Sequence, residues 1–337
     1  MWHIRAAKLA LGAALMVALA AAGERSHAQG AGDPNAAPNP YRLDEGWAKL
    51  PEGRKWGGVF GTSVDRDGKS VWAFDRCEAS LCADSKLAPI FKFDPSGKVM
   101  ANFGAGMFVE PHGLYVDRDG NVWATDFRGR EGKGHQVFKF SPDGKLLMTL
   151  GKAGVTGTGP DTFNAPTNTL VAPNGDIFVS DGHGGDTNAR IVKFTKDGKF
   201  IKTWGSKGTA PGQFQTPHML AMDSAGRLFV ADRENNRIQI FDQDGQFIEE
   251  WRQFGRPSGV YINKNDIVYV ADSQSDAKTN PGFQQGIRIG SVKDKKVLAF
   301  IPETKEMGAL EGVTSDDMGN IYGGYTGTKN FRRWVKK

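Results

Sequence analysis

Three short segments of this sequence place metal-binding side chains at matching points of a repeat, namely His112, His218 and Glu311. Aligning the six repeat units on their Asp-x-x-Gly turns gives one column of residues: Phe60, His112, Thr167, His218, Ser258 and Glu311. The ligand-type residues occupy alternate units of that column. Two neutral imidazoles and a carboxylate that meet at one point suit Zn²⁺ with an open coordination position, and Fe²⁺ in a facial triad is the alternative.

A lone histidine between proline and glycine is more often a turn residue than a ligand, and this alternative competes with the metal site. Only four histidines follow residue 28, and two of them, His112 and His218, occupy equivalent positions of the repeat. That coincidence favours a metal site, provided that the fold turns the column toward a common point.

The repeat itself indicates such a fold. Its core phrase is an Asp-x-x-Gly turn followed by an apolar strand, as in VDRDGNVWATD at 116–126 and MDSAGRLFVAD at 222–232. A second hairpin phrase follows, as in IVKFTKDGKFIKTWG at 191–205. The glycines supply the positive φ that tight hairpin turns need. The period of about 40–50 residues is the blade length of a propeller, so six units predict an all-β, six-bladed β-propeller whose innermost strands line the channel.

The sixth unit is incomplete at the C-terminus. After Tyr322 the sequence offers one more apolar run, at 331–335, and then stops. We expect the segment around Trp47, at 47–50, to supply the missing outer strand, so that the N- and C-terminal segments close the ring. The propeller then spans 41–337 as one domain.

The N-terminus has the pattern of an export signal. Residues 1–28 combine two early basic residues, an apolar run and a small-x-small cleavage site at 26–28. The apolar run is too short for a stable membrane span, so the processed chain is expected to have none. Residues 29–40, rich in Gly, Ala, Pro and Asn, indicate a flexible leader. We therefore expect an exported protein, periplasmic or secreted, and a monomer.

The cysteines and the net charge limit the remaining possibilities. Cys77 and Cys82 are the only cysteines, and in an exported protein they are expected to form a disulfide; a metal or redox pair is the alternative. Residues 1–28 hold three bases and one acid, a net +2, so the rest of the +5 chain carries about +3. Without an aromatic-basic groove, this mild charge predicts no nucleic-acid partner.

A second set of polar residues follows the second strand of several units, at one mouth of the channel. Arg76 and Arg233 each follow an aspartate, and a guanidinium there could hold a substrate carboxylate in a bidentate contact. The alternative is an Asp–Arg pair that only fixes the loop. His183 lies in a glycine-rich loop and could act as a general base near neutral pH.

The phrases PHGLYVDRDGNVWATD and TPHMLAMDSAGRLFVADRENNRIQIF resemble NHL repeats, most of all those in the lyase domain of the peptidylglycine α-amidating enzyme. The resemblance covers nearly all of the chain after the signal. It implies a six-bladed propeller that holds zinc on three axial histidines and cleaves peptidyl-α-hydroxyglycine to a peptide amide and glyoxylate. It also implies that His112 and His218 are zinc ligands, that Arg76 binds the substrate carboxylate and that Arg233 is a second active-site arginine.

The sequence departs from that family at three positions. Glu311 replaces the third ligand histidine, and His183 replaces the active-site tyrosine. Gly312 replaces an acidic residue tied to a structural calcium in the family, which argues against calcium here. These departures leave the fold and the metal expected but put the substrate in doubt.

The function expected from the resemblance is an exported metal-dependent C–N lyase. It would act on a small molecule or peptide that bears a carboxylate, and release glyoxylate and an amide. Two alternatives stay open: a non-catalytic NHL propeller that binds a peptide or protein, and a metal-dependent propeller hydrolase. A Gly-x-Ser-x-Gly nucleophile motif is absent from the sequence.

Overall fold

Short alternating segments separated by glycine turns fold here as antiparallel strands. The structure, a computed structural model, describes residues 33–303 and 307–337, which form 24 strands in six four-stranded sheets. The sheets surround a central channel as blades, and the prediction of an all-β, six-bladed β-propeller is confirmed. The predicted signal peptide, 1–28, lies outside the described residues.

In each blade the first strand lies at the channel and the fourth strand lies at the outer edge. The first and second blades are β2 (Val59–Val64), β3 (Val71–Asp75), β4 (Ile90–Phe93), β5 (Val99–Phe103), and β6 (Pro111–Val116), β7 (Val122–Asp126), β8 (Gln136–Phe140), β9 (Leu146–Leu150). The third and fourth are β10 (Pro166–Val171), β11 (Ile177–Asp181), β12 (Arg190–Phe194), β13 (Phe200–Trp204), and β14 (Pro217–Met222), β15 (Leu228–Asp232), β16 (Arg237–Phe241), β17 (Phe247–Trp251). The fifth and sixth are β18 (Pro257–Ile262), β19 (Ile267–Asp272), β20 (Gly286–Ser291), β21 (Lys296–Pro302), and β22 (Leu310–Ser315), β23 (Ile321–Tyr325), β24 (Asn330–Lys336), β1 (Tyr41–Asp44).

The innermost strands form the wall of the channel. The first strand of each blade contacts those of both neighbouring blades around the ring: β2, β6, β10, β14, β18 and β22. The apolar core lies between blades, where for example Trp123 and Val137 of the second blade pack with Ile177 and Val179 of the third. Burial of both sheet faces stabilises the ring and holds the channel-facing residues in place.

Buried aspartates fix the loops that lead into the channel. Five blades end their second strand in a fully buried aspartate: Asp75, Asp126, Asp181, Asp232 and Asp272. Each carboxylate accepts backbone N–H bonds from the loop that enters the first strand of its own blade. Asp126 thereby holds the backbone just before His112, and Asp232 holds that before His218. Such bonds compensate for the burial of the charge.

The sixth blade is closed by the N-terminal segment, but not by the segment predicted. β1 pairs with β24 in the register Tyr41 to Lys336, so the missing strand comes from 41–44 and the expectation for 47–50 is wrong. Tyr41 is buried in the blade and suits an edge-strand position. Trp47 instead packs its ring 4.9 Å from that of Tyr322, because its bulk fills the space between the sixth and first blades.

The described part of the predicted leader, 33–40, is hydrogen-bonded to the fifth blade. The Asn35 side chain accepts bonds from Gln284 and Arg288, and the Pro38 carbonyl accepts one from Phe300. Among residues 33–303 and 307–337, no helix has the length and hydrophobicity needed to cross a lipid bilayer.

Candidate metal centre and channel mouth

The predicted metal ligands meet in the channel at the start of the inner strands. His112, His218 and Glu311 are the second residues of β6, β14 and β22, and all three side chains are buried. The two imidazole rings have centroids 4.7 Å apart, and Glu311 Oε2 lies 3.7 Å from His218 Nε2. The column identified from the repeat therefore faces the axis.

Backbone carbonyls of neighbouring blades fix the tautomer of both histidines. His112 Nδ1 lies 2.8 Å from the carbonyl of Thr167, and His218 Nδ1 lies 2.7 Å from that of Ser258. A carbonyl only accepts, so Nδ1 carries the proton in each ring and Nε2 presents a lone pair to the channel. Burial, reinforced by nearby His183 for His112 and by Arg233 for His218, lowers the pKa of both histidines well below the usual value. Neutral imidazoles held by carbonyls are the form that binds metals.

A third imidazole completes the cluster. His183, in the loop after β11, has its ring 5.2 Å from that of His112 and 5.1 Å from that of His218. One nitrogen from each of the three rings lies within 4.8 Å of the others. Burial, followed by Arg233 and Arg76, lowers the pKa of His183 to about 3. His183, expected at the rim as a general base near neutral pH, lies beside the predicted ligands, and a pKa this low makes its imidazole a weak base there.

The His183 loop depends on glycine. Gly182 has φ +135°, and a Cβ there would lie 1.5 Å from the carbonyl oxygen of Asn188. The His183 amide donates to Thr187 Oγ1 at 2.7 Å, which fixes the start of the loop. Sequence analysis placed His183 on the mouth but could not show that this loop directs the ring toward the axis.

Several buried polar atoms of the cluster are suited to hold a ligand. His112 Nε2, His183 Nε2 and Glu311 Oε2 have no hydrogen-bond partner among the described residues. Leaving a buried polar atom unsatisfied costs roughly 1–3 kcal/mol, so several at one point call for an explanation. Imidazole nitrogens and a carboxylate are suitable ligands for zinc, and the residues present therefore fit such an ion.

Arg76 lies beside this cluster with one donor free. Its Nε donates to the Pro111 carbonyl at 2.9 Å, and its Nη1 pairs with Glu110 at 2.5 Å. The guanidinium carbon lies 3.5 Å from the centre of the Phe60 ring, while Nη2 has no partner among the described residues. Burial lowers the pKa of Arg76 to about 10, so the group stays charged at neutral pH. The alternative of a loop-fixing pair with Asp75 is wrong.

Arg233 contacts the cluster directly. It lies in a short 3₁₀ helix, Arg233–Asn235, and its Nη1 is 3.0 Å from His218 Nε2 and 3.6 Å from Glu311 Oε2. The preceding aspartate, Asp232, pairs with Arg237 instead. A metal on His218 would require this arginine to withdraw from Nε2.

Sequence analysis missed two further charged residues at the mouth, Glu110 and Arg256. Glu110 pairs with Arg76 and with Arg128, and Arg256 pairs with Glu234. Glu110 and Arg256 each precede the proline that starts an inner strand, at the same point of the second and fifth units. Glu110 and Arg256 lie two residues before the aligned column, so an alignment that included this position would identify them.

Two other expectations concern the surroundings of the site. Cys77 and Cys82 form the predicted disulfide, with Cα atoms 5.2 Å apart, in the loop that follows Arg76. At Gly312 a Cβ would lie 2.1 Å from the Phe60 carbonyl oxygen. A larger residue at 312 would therefore displace the backbone. The expectation drawn from Gly312, that this chain binds no structural calcium, stays a prediction.

Comparisons with known proteins agree with this architecture. A model of the NHL repeat matches residues 214–241. Peptidyl-glycine alpha-amidating monooxygenase B of Xenopus laevis is 37% identical over 254 residues, which cover 70% of this chain and 27% of that protein. Peptidyl-alpha-hydroxyglycine alpha-amidating lyase 1 of Drosophila melanogaster is 42% identical over 161 residues, covering 44% of this chain and 28% of that protein. The chain thus spans little more than a quarter of these relatives.

A solved structure supports the fold alone. A gluconolactonase from Xanthomonas campestris superposes with a TM-score of 0.58 at 15% identity, covering 90% of this chain and 97% of that protein. The chain is thus a six-bladed β-propeller with an NHL-repeat match in its fourth blade, and its sequence is similar to those of the peptidylglycine amidating enzymes.

Proposed function

We propose that this protein is a metal-dependent lyase that cleaves the C–N bond of a peptidyl-α-hydroxyglycine-type substrate and releases glyoxylate and an amide. The observation that carries the proposal is the pair His112 and His218, whose neutral Nε2 atoms face one point of the channel beside two buried arginines. The similarity to the Drosophila lyase supports this reaction class.

The proposed metal is zinc, with iron as the alternative. His112 and His218 would hold it through Nε2, and Glu311 and His183 are the two candidates for a third ligand. A zinc ion bound there would supply Lewis acidity that lowers the pKa of the substrate hydroxyl. Of the two candidates, the one that does not bind the metal remains available to accept the hydroxyl proton.

The arginines and phenylalanines bind the rest of the substrate. Arg76 Nη2, without a partner among the described residues, is available to donate to the substrate carboxylate. Arg233, next to His218, offers a second cation at the same mouth. The rings of Phe60 and Phe127 flank the Arg76 guanidinium at 3.5 and 5.5 Å and restrict water around it. Fixed orientation of this kind lowers the barrier to bond cleavage.

The bond changes balance without a further reactant. The substrate hydroxyl gives up its proton, its oxygen becomes the aldehyde oxygen of glyoxylate, and the carbon–nitrogen bond breaks. The electrons of that bond go to the amide nitrogen, which takes up a proton and leaves as the primary amide. The chain therefore needs one proton acceptor and a donor for the leaving nitrogen.

The test is release of glyoxylate from an N-acylated α-hydroxyglycyl peptide by the zinc-loaded protein. We expect glyoxylate and the peptide amide in equal amounts, and a matched peptide whose carboxylate is esterified should react poorly. His135→Ala, a half-buried histidine outside the cluster, is the control variant. Absence of both products from a folded, zinc-loaded protein would contradict the lyase and leave a binding propeller.

Export and a monomeric state complete the proposal. The N-terminal pattern at 1–28 supports cleavage before Gln29 and residence in the periplasm or outside the cell. N-terminal sequencing of the protein recovered from its producing cell would reveal the cleavage site, and light scattering would measure the mass.

A further inference from the structure

The three histidines of the cluster are arranged more symmetrically than the ligands chosen from the repeat. The ring centroids of His112, His183 and His218 form a triangle with sides of 4.7, 5.1 and 5.2 Å. One nitrogen from each ring lies within 4.8 Å of the other two. Ligand nitrogens of tetrahedral zinc, at about 2.1 Å from the ion, are separated by about 3.4 Å. The observed cluster is therefore close to a zinc site and needs only a small contraction.

Glu311 lies at the edge of that triangle. Its Oε2 is 3.7 Å from His218 Nε2 and 3.6 Å from Arg233 Nη1, so its charge already has a cation partner. His183 Nε2 has no comparable partner: it is buried, and no described residue forms a hydrogen bond with it. Neither His183 Nε2 nor Glu311 Oε2 forms a hydrogen bond with a described residue, but Glu311 has a cation within 4 Å and His183 Nε2 does not accept from one.

The surroundings hold the His183 ring in this position. Its loop is fixed by the bond from the His183 amide to Thr187, and its ring lies 5.0 Å from that of Phe127. Phe127 in turn lies 4.9 Å from the ring of His112. One aromatic side chain therefore supports two members of the cluster, which limits the movement of His183 away from the axis.

We propose that His183, and not Glu311, is the third metal ligand. This rests on the proposed function only in requiring a metal at the axial site. Three neutral imidazoles leave the full charge of a divalent ion in place and keep one coordination position open for substrate. Glu311 then stays outside the ligand set, paired with Arg233.

The experiment measures zinc affinity by competition with a chromophoric chelator, on the protein from Gln29 onward. The variants are His183→Asn, Glu311→Gln and the control His135→Asn, each checked for folding by circular dichroism. We expect His183→Asn to weaken zinc binding more than about 100-fold, beyond the 10–100-fold typical of an outer-shell change. Glu311→Gln should stay within about 10-fold and the control unchanged.

Cobalt substitution gives a second readout that does not depend on activity. The visible absorption of the cobalt-loaded protein should change in His183→Asn and be nearly preserved in Glu311→Gln. The reverse order, in affinity or in spectrum, would overturn the assignment of His183 and leave the lyase intact. Zinc bound through His183 with no glyoxylate released would contradict the lyase and leave the ligand assignment standing. A wild type that binds no zinc would contradict both the assignment of His183 and the metal-dependent lyase.

Discussion

The two ends of the central channel differ in chemistry although the same six inner strands line both. At the end where these strands begin, three histidines, a buried glutamate and two buried arginines converge. At the end where they finish, a cavity of about 420 Å³ is lined by residues such as Ser63, Tyr115, Leu170 and Tyr261, and its described lining has no histidine or cysteine. A cavity alone does not mark a site, and the convergent ligands make the first end the candidate for metal chemistry.

Of the substitutions that test this difference between the two channel ends, Arg76→Ala is expected to reduce kcat/KM the most. Loss of a charged hydrogen bond to the substrate carboxylate costs about 1.5–3 kcal/mol, which lowers kcat/KM by roughly 10–100-fold. Zinc content should be unchanged because Arg76 contacts no imidazole nitrogen among the described residues. Steady-state kinetics with metal analysis would check both. A loss of zinc with the activity would assign Arg76 to the metal centre instead.

A smaller effect is expected when the disulfide is removed by Cys77→Ser and Cys82→Ser together. The loop it closes carries the Ser80 carbonyl, which accepts a bond from Arg76 Nη1 at 3.1 Å. We expect KM to rise several-fold with little change in kcat, since the loop positions the arginine. Closing so short a loop stabilises the fold by about 2 kcal/mol. Thermal unfolding would measure that loss, and an unchanged KM would show that Arg76 keeps its place without the bridge.

The sequence predicted much of this site because the repeat has a strict register. The repeat register predicts His112 and His218, and the Cys77–Cys82 disulfide is predicted because these are the only two cysteines of a chain expected to be exported. His183 was placed on the correct mouth but not in the cluster, because the conformation of its glycine loop decides where the ring points. The closing strand at 41–44 could not be predicted, because an edge strand of four residues carries little hydrophobic pattern. The apolar residues around Trp47 have a stronger pattern, although they form no strand of the sixth blade.

A pH effect on stability is expected at the sixth blade. There Tyr325 replaces the buried aspartate of the other blades and donates its hydroxyl to Glu303. Burial raises the pKa of Glu303 to about 7, despite the Tyr325 bond and nearby Arg332. Between about pH 4.5 and 7 the folded chain keeps a proton that the unfolded chain has lost, so this group makes stability fall as pH rises.

Glu303→Gln should remove the contribution of this group to the pH dependence of stability. Urea unfolding at several pH values from 5 to 8 would compare the variant with the wild type. An identical pH dependence in the two proteins would show that Glu303 is ionised in the folded state.

The smallest effect is expected at the opposite channel end. Tyr261→Phe removes a hydroxyl from the wall of the cavity while keeping the ring that packs 6.0 Å from Tyr269. We expect kcat, KM and zinc affinity to stay within about twofold, because the ring is kept and the hydroxyl lies at the end of the channel opposite the histidine cluster. A tenfold loss of kcat/KM would mean that the substrate reaches, or enters from, this end.

The most direct test of the account is the metal content of the protein purified without chelator or added metal. The wild type is compared with a His112→Ala/His218→Ala double variant, both shown to be folded. We predict close to one zinc or iron ion per chain in the wild type and none in the double variant. A folded wild type that holds no metal, and takes up none when zinc is added, would contradict the axial metal centre.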